Sequence, residues 1–350
     1  MKTQKLLMIT LIPILLSHIS CVQQEINEVN INGKFIGDIP ERVGFTIPVN
    51  QTSYIGFRDI IEIDSTGAFN INVETDKPAF LTFWHLDSPS LIIEPDKQYN
   101  LVLEIDPEKG LLMHGELGEL QEFYNKLAHE NPMTCMYSFG EDISNYTIIR
   151  QNIHDTLEKE LSAILELYAS GKISEQIKDL LVADRQIYYM TAQAVLASAN
   201  NLRVRRDNEE FLLDEIFSLW SEAASRVPMD SELFLSSFYS WDFLQLYLWY
   251  KIYTNYDYDD FVEMRAEKRA NATIHAHNIE LAKEYLSGDI LEFFIAGTFF
   301  YQHSIRQYDN DLNHNFELFK SYFPKSSYLP FVEKTFKEMV ERQQNMASND

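Results

Sequence analysis

The chain has 350 residues, 45% of them hydrophobic and 23% charged, with a formal charge of −24. That composition is globular rather than disordered, and the acidic excess argues against a nucleic-acid partner, which needs a basic surface. Only two cysteines occur, Cys21 and Cys135, so a disulfide-dense scaffold and a cysteine zinc module are both excluded.

Residues 1–20 set the expected compartment. Lys2 and Lys5 precede an apolar run from Leu6 to Leu16, and small residues follow before Cys21. A basic start, an apolar stretch and a small residue before the cut form a secretory signal peptide. The run is too short for a comfortable membrane span. Ser17-His18-Ile19-Ser20-Cys21 resembles a bacterial lipobox, with His18 where that pattern usually has Leu. Cleavage after Ser20 would make Cys21 the lipidated N-terminus, followed by a short tether, 21–26. The membrane would then be a partner through that lipid alone. Anionic head groups repel so acidic a body, which favours a chain held off the surface by its anchor. No dense acidic run follows Cys21, and a periplasm-facing position is expected, at the outer rather than the inner membrane.

From 27 to 115 the pattern is that of strands. Val29 to Phe35 alternates apolar and polar residues, the period-2 signature of a half-buried strand. Gly44–Val49, Tyr54–Ile63, Phe69–Val73, Ala79–Trp84, Leu91–Ile93 and Tyr99–Ile105 are further strands. Asp64-Ser65-Thr66-Gly67, Asp76-Lys77-Pro78 and Pro95-Asp96 mark turns between them. Short strands at this spacing predict an antiparallel sandwich.

From 116 onward the period becomes helical. Leu117, Leu120, Phe123, Tyr124 and Leu127 share one face. Helices are expected over 142–170, 174–201, 208–225, 230–254, 259–268, 273–286, 290–306, 313–321 and 328–344. The boundaries lie at Gly171, Asn200-Asn201, Val227-Pro228, Asn255, Gly288, Asp309-Asn310-Asp311 and Pro324. Asp230 is the expected cap of the helix that follows it, and Ser326-Ser327 of the last. The fold class is therefore α+β: an N-terminal β-sandwich-like domain, 27–115, followed by an all-helical domain, 116–350.

Several stretches together resemble a family. They are Ile31-Asn32-Gly33-Lys34-Phe35, Gly67-Ala68-Phe69-Asn70-Ile71, Ile92-Ile93-Glu94-Pro95-Asp96, Gly115 with Leu120 to Tyr124, Phe238-Tyr239 to Tyr250, and Tyr322 to Tyr328. Their order is similar to the N-terminal part of lipid-anchored thioredoxin-like proteins of the Bacteroidetes. In those proteins a DUF4369-type β-domain and a helical segment precede a thioredoxin fold. Where the family usually has Glu-Pro-Gly, this chain has Glu94-Pro95-Asp96. The chain also reaches Asp350 about where the thioredoxin fold would begin, and it contains no Cys-x-x-Cys. The resemblance implies the architecture and the envelope location. It does not carry over the redox activity, which needs a thiolate and usually a resolving thiol.

Few residues point to chemistry. Cys135 is a candidate thiol, set against the commoner role of a buried apolar side chain. His275-Ala276-His277 has metal-like spacing, but residues two apart on a helix face different ways, and no His-Glu-x-x-His occurs. Asp257 to Asp260 and Asp309 to Asn313 faintly resemble calcium loops but lack the closing bidentate Glu. No Gly-x-Ser-x-Gly or phosphate loop is present. No catalytic residue, metal or cofactor is therefore expected. The least ordinary feature is aromatic density: Tyr239, Phe243, Tyr247 and Tyr250 fall along one stripe of a helix that also carries Trp241 and Trp249. Such a helix is either a central core element or one wall of a ligand groove. A binding or assembly protein with a periplasmic partner is expected. The alternatives are a thiol-dependent accessory acting through Cys135, or a small-ligand or glycan binder using the aromatic stripe.

Overall fold

The computed structural model describes residues 27–84, 90–106, 108, 110–115, 118–127 and 129–347. The expected signal peptide, the tether, Cys21 and Leu117 lie outside the described residues. Eight strands come first: β1 (Asn27–Ile36), β2 (Arg42–Thr46), β3 (Arg58–Glu62), β4 (Ala68–Thr75), β5 (Ala79–Trp84), β6 (Ser90–Ile93), β7 (Gln98–Asp106) and β8 (Gly110–Gly115). They form two four-stranded sheets, ordered β4-β1-β7-β8 and β3-β2-β5-β6.

The apolar alternation read from the sequence builds the sandwich. Along β4, Phe69, Ile71 and Val73 point inward and their neighbours point to solvent. They meet Val29, Ile31 and Phe35 of β1 and Leu81 and Phe83 of β5 in one dry layer. Pairing is antiparallel except between β1 and β7, which run parallel with Ile31 opposite Tyr99. That exception needs a crossover, and β2 to β6 supply it. Strand β5 is buried on both faces. Ala79, Leu81 and Phe83 fill the sandwich, while Phe80 and Thr82 turn toward the helices. A strand covered on both sides reads as a continuous apolar run, and Ala79-Phe80-Leu81-Thr82-Phe83-Trp84 is one.

The expected strand Tyr54–Ile63 is only half a strand. Pairing with β2 begins at Arg58. Tyr54 and Phe57 instead leave the sheet and enter the helical core, because their rings bury more apolar surface there than an edge strand could offer.

The helices are α1 (Gly118–Tyr124), α2 (Pro132–Cys135), α3 (Tyr146–Ala169), α4 (Glu175–Arg206), α5 (Leu213–Arg226), α6 (Ser240–Asn255), α7 (Tyr258–Ala270), α8 (Ile274–Tyr285), α9 (Gly288–Ile305), α10 (Leu312–Tyr322) and α11 (Leu329–Ala347). Helix α4 is the spine, packed against α3, α5 and α6. Every residue from Ile187 to Ala197 on it is buried. Its N-terminus is capped by Ser174, whose hydroxyl accepts from Ile177 N at 3.3 Å. Asn200 and Asn201 lie inside this helix rather than ending it. Asn200 Nδ2 donates to Ile143 O at 2.9 Å, and Asn201 Oδ1 accepts from Arg205 at 3.2 Å, so each side chain makes a hydrogen bond within the fold.

The expected helix 230–254 is broken. A 3₁₀ turn, Glu232–Ser236, capped by Ser231 rather than Asp230, precedes α6. The Ser240 hydroxyl closes the break by donating to the Phe234 carbonyl and, at 2.9 Å, to the Ser237 carbonyl. Ahead of the last helix, Ser326 Oγ accepts from Tyr328 N at 3.1 Å.

The seam between sandwich and helices is a shared core. Tyr54 lies 5.4 Å from Phe293 and 5.6 Å from Trp241, ring to ring, and Phe57 stacks on Tyr328 at 5.0 Å. Two glycines make room: a Cβ on Gly56 would sit 2.1 Å from the Phe300 ring, and one on Gly297 would sit 2.2 Å from Trp241 Nε1. Backbone joins backbone where Ser53 N donates to Leu235 O at 3.1 Å. On the other side, Gln121 of α1 covers edge strand β6, accepting from Ile92 N at 2.9 Å and donating to Ser90 O at 2.7 Å.

Removing the fully buried Phe57 ring should therefore destabilise both parts together. Phe57→Ala is expected to cost about 3–5 kcal/mol, read as a lower urea midpoint by far-UV circular dichroism. An unchanged midpoint would show that the inserted rings do not couple the sheet to the helices.

Candidate functional site

Four aromatic rings and a buried ion pair meet where the sandwich faces the helices. The resulting cleft has a volume of about 450 Å³. Phe80 and Thr82 of β5 and Ser90 of β6 form one wall; Tyr124, His129 and Asn131 form a second; Asp184, Phe238, Tyr239 and Asp242 close it from the α4 and α6 side. Clefts at the meeting of two structural units are the usual place for ligands.

The floor is built by α4. Asp184 and Arg185 are adjacent in sequence and both essentially inaccessible, at 1% and 0% exposure. Arg185 donates from Nε at 3.0 Å and from Nη2 at 2.5 Å to Asp184 Oδ2. Ser237 Oγ donates to Asp184 Oδ1 at 2.7 Å, and Tyr124 OH donates to Oδ2 at 3.4 Å. Glu160 lies 3.9 Å from the same guanidinium and accepts from Tyr189 OH at 2.8 Å. The rings of Tyr188 and Tyr124 lie 4.9 and 5.7 Å from Arg185. Burial alone would pull this guanidinium down. Asp184, then Tyr124 and Tyr239, hold it well above its ordinary value. The pair is thus fully engaged within the protein and acts as a rigid floor.

Around that floor the titratable groups are held neutral. Burial, then the Asp184 carboxylate, pushes the Tyr124 phenol far up. Burial also raises Tyr239. Burial, then Arg185, lowers His129, whose Nε2 lies 2.7 Å from the Tyr124 carbonyl. Asp242 differs. Burial raises its carboxyl from 3.8 to about 6, and it has no hydrogen bond or ion pair among the described residues. A partly buried, unpaired carboxyl in a cleft is the kind of perturbed group that marks a functional position.

The structure separates the residues singled out from sequence. Of the aromatic stripe, only Tyr239 lines this cleft. Phe243 is buried beside Phe234, at 6.2 Å between rings. Tyr247 and Tyr250 are half-buried, and Tyr250 lies 5.9 Å from Trp220. Between Phe243, Tyr247, Tyr250 and α5 there is no space a water could enter. The stripe therefore does not make one groove; most of it is core. Cys135 ends helix α2 at 2% exposure, with burial pushing its thiol up to about 11 despite the neighbouring Tyr188 hydroxyl. His275 and His277 lie on α8, and no cluster of three or more metal-ligating side chains occurs among the described residues. Asp257 caps α7 by accepting from Asp259 N at 2.9 Å, and Asp309 accepts from His275 N at 3.2 Å. Both acidic turns thus serve helix ends.

Asp242, Asp184 and Arg185 were not legible as site residues from sequence. Among 53 acids, only burial singles out these two. The one signal available was a charged pair inside an otherwise apolar stretch of α4. A larger groove, about 690 Å³, lies beside Asn50 and Tyr328 and carries Asp230, Glu232, Asp289, Glu292 and Lys325. Asp230, Glu232 and Asp289 are solvent-exposed, and burial raises the Glu292 carboxyl above its ordinary value.

No family model matches the chain, and no curated protein and no solved structure is found to be similar to it.

Two outcomes follow from the site's electrostatics. Asp184→Ala would strand the Arg185 charge in the core and should cost about 3–5 kcal/mol, seen in chemical denaturation. Asp242 works in the opposite sense. Its folded value lies above its unfolded one, so its contribution is fully present below pH about 4 and is lost as pH rises through about 6. Asp242→Asn should therefore raise stability at pH 7.5 by about 1–2 kcal/mol and leave it nearly unchanged at pH 4. A variant less stable than the parent at pH 7.5 would contradict this.

Proposed function

We propose that the chain is a lipid-anchored, non-enzymatic binding protein of the bacterial cell envelope. In this reading Cys21 carries the lipid, the body faces the periplasm, and the cleft over Asp184–Arg185 receives a periplasmic partner. The observation that carries the binding role is Asp242. It is an unpaired carboxyl with a value near 6, set among the rings of Phe238, Tyr239 and Tyr124. Above that value it is an anion between aromatic faces, the chemistry that takes up an ammonium or guanidinium group. A lysine or arginine side chain presented by the partner fits it. The chain's overall negative charge steers such a partner inward.

The location is supported by the order of residues 1–21, basic, then apolar, then Ser20-Cys21. No helix among the described residues is long and apolar enough to cross a membrane. The order of β-turn and helix-entry motifs, which resembles that of lipid-anchored thioredoxin-like proteins, supports the same reading. A thiol-dependent activity has less support, since a thiol raised to about 11 holds almost no thiolate at neutral pH. A glycan is the second occupant considered for the same cleft. It is favoured by Asn131 and Glu130 beside the Phe238 and Tyr239 rings, a mix that can stack a sugar face and bond its hydroxyls.

Both parts are open to direct test. Labelled palmitate should enter the wild type and not Cys21→Ser, which should be released in soluble form; a wild type that takes up no label would remove the anchor. For the cleft, a photoreactive phenylalanine at Phe238 should give a discrete protein adduct in intact cells. The adduct should fall about tenfold in an Asp242→Asn background and weaken as pH drops below 6. An adduct indifferent to Asp242, or competed away by neutral oligosaccharide alone, would overturn recognition of a cationic side chain.

A further inference from the structure

A second cavity, of about 270 Å³, lies in the helical part of the chain, between α6, α7, α8 and α9, with Met133 of α2 and Gln307 after α9 also lining it. Its electrostatics are the reverse of the rest of the molecule. In a chain of net charge −24, no Asp or Glu lines it, whereas Arg265, Arg269 and His275 do.

Arg265 is the central feature. It is 8% exposed. Its hydrogen bond runs from Nη1 to Asn278 Oδ1 at 3.3 Å. Its guanidinium lies over Trp249 at 4.2 Å and near Phe261 at 5.6 Å. No carboxylate is among these contacts. Burial, then the neighbouring Arg269, lowers it to about 10, so it remains charged at neutral pH. The contrast with Arg185 is internal to the protein: both guanidinium groups are buried, but only Arg185 has its counter-ion. A guanidinium offers five donors in a planar fork, and one weak bond with two aromatic faces leaves the charge uncompensated.

His275 is the second, independent observation. It is 4% exposed, lines the same cavity, and its Nε2 has no hydrogen-bond partner. Its ring is engaged by the Gln307 backbone, and burial, then Arg265, lowers it to about 4, so it is neutral. The remaining walls include Leu248, Ile252, Leu281 and Phe294. The volume lies just under the ~300–1,000 Å³ of drug-sized sites, which limits an occupant to a small molecule.

We propose that this cavity binds a small monocarboxylate with an apolar body and a hydroxyl beside the carboxylate. The carboxylate pairs with Arg265, the hydroxyl meets His275 Nε2, and the body lies among Leu248, Ile252 and Phe294. One buried positive charge is balanced by one negative charge, and Arg269 at the exposed mouth guides the anion in. A phosphate dianion would overcompensate the buried charge and leave the apolar wall unused. This inference does not depend on the cleft over Asp184.

Mandelate is a suitable probe, and mandelamide is its uncharged counterpart. Titration of the mature chain, read by calorimetry and by tryptophan emission, to which Trp249 beside Arg265 contributes, should show mandelate binding at least about tenfold tighter than mandelamide. Arg265→Met should lose about tenfold or more in mandelate affinity while keeping the parent's far-UV spectrum. Arg269→Ala, at an exposed position that does not threaten folding, should weaken binding about threefold and make it less salt-dependent. The proposal fails if mandelate does not bind at up to about 10 mM, if the amide binds as well as the acid, or if Arg265→Met or Arg269→Ala binds as the parent does. It also fails if inorganic phosphate binds more tightly than mandelate.

Discussion

Insertion of the Tyr54 and Phe57 rings into the helical core is the contact on which the rest of the structure depends. The sandwich has its own dry layer and the helices have theirs, but the loop between β2 and β3 belongs to the second. Close approach at Gly56 and Gly297 leaves no room for sliding. Because the rings are locked among Trp241, Phe293, Phe300 and Tyr328, the outer face of β5 is held at a fixed distance from α4 and α6. The cleft over Asp184 is the gap that this fixed distance leaves open. Gln121 pins the opposite side by bonding the backbone of β6. A cleft held at both ends in this way is preformed, and a ligand need not organise it.

The two buried arginines show how environment decides role. Arg185 shares the core with Asp184, Glu160 and the hydroxyls of Tyr124 and Tyr239, and its charge is neutralised inside the fold. Such a pair contributes little net stability but costs several kcal/mol when broken. Arg265 has aromatic faces and a single amide. An uncompensated charge next to an open cavity is a recognition element awaiting a counter-ion. Asp242 is the anionic counterpart, raised by burial and unpaired at the other site. The molecule therefore presents two cavities of opposite polarity along α6, one at Asp242 near its start and one beside Leu248 to Ile252 further on.

Sequence reasoning reached the architecture because its signals are local. Alternation in Val29 to Phe35 and Phe69 to Val73 records the pleat, and the change of period near residue 116 records the switch to helices. It failed where tertiary packing overrode local pattern. Tyr54–Phe57 has good strand propensity, but burial in the helical core outweighs edge pairing. Asn200-Asn201 is a strong terminator in isolation, but Ile143 O and Arg205 engage those amides. The aromatic stripe on α6 was legible as a stripe, but its division between cleft and core was not. Tyr239, at the start of α6, lines the cleft, whereas Phe243 one turn further on is buried in the core. The roles of Asp242 and Arg265 depend on which of many charges lack a partner, and pairing is a property of the folded chain alone.

Native-state hydrogen exchange probes the shared core most directly. Phe57 N donates to Tyr54 O at 3.0 Å, and Ser53 N donates to Leu235 O at 3.1 Å across the seam. If the inserted rings weld sheet and helices into one unit, these two amides should exchange only through global unfolding, with the same free energy and denaturant dependence as the amides of Ile187 to Ala197 on α4. Exchange at the rate of an open surface loop, while α4 stays protected, would contradict a common core and with it a preformed cleft.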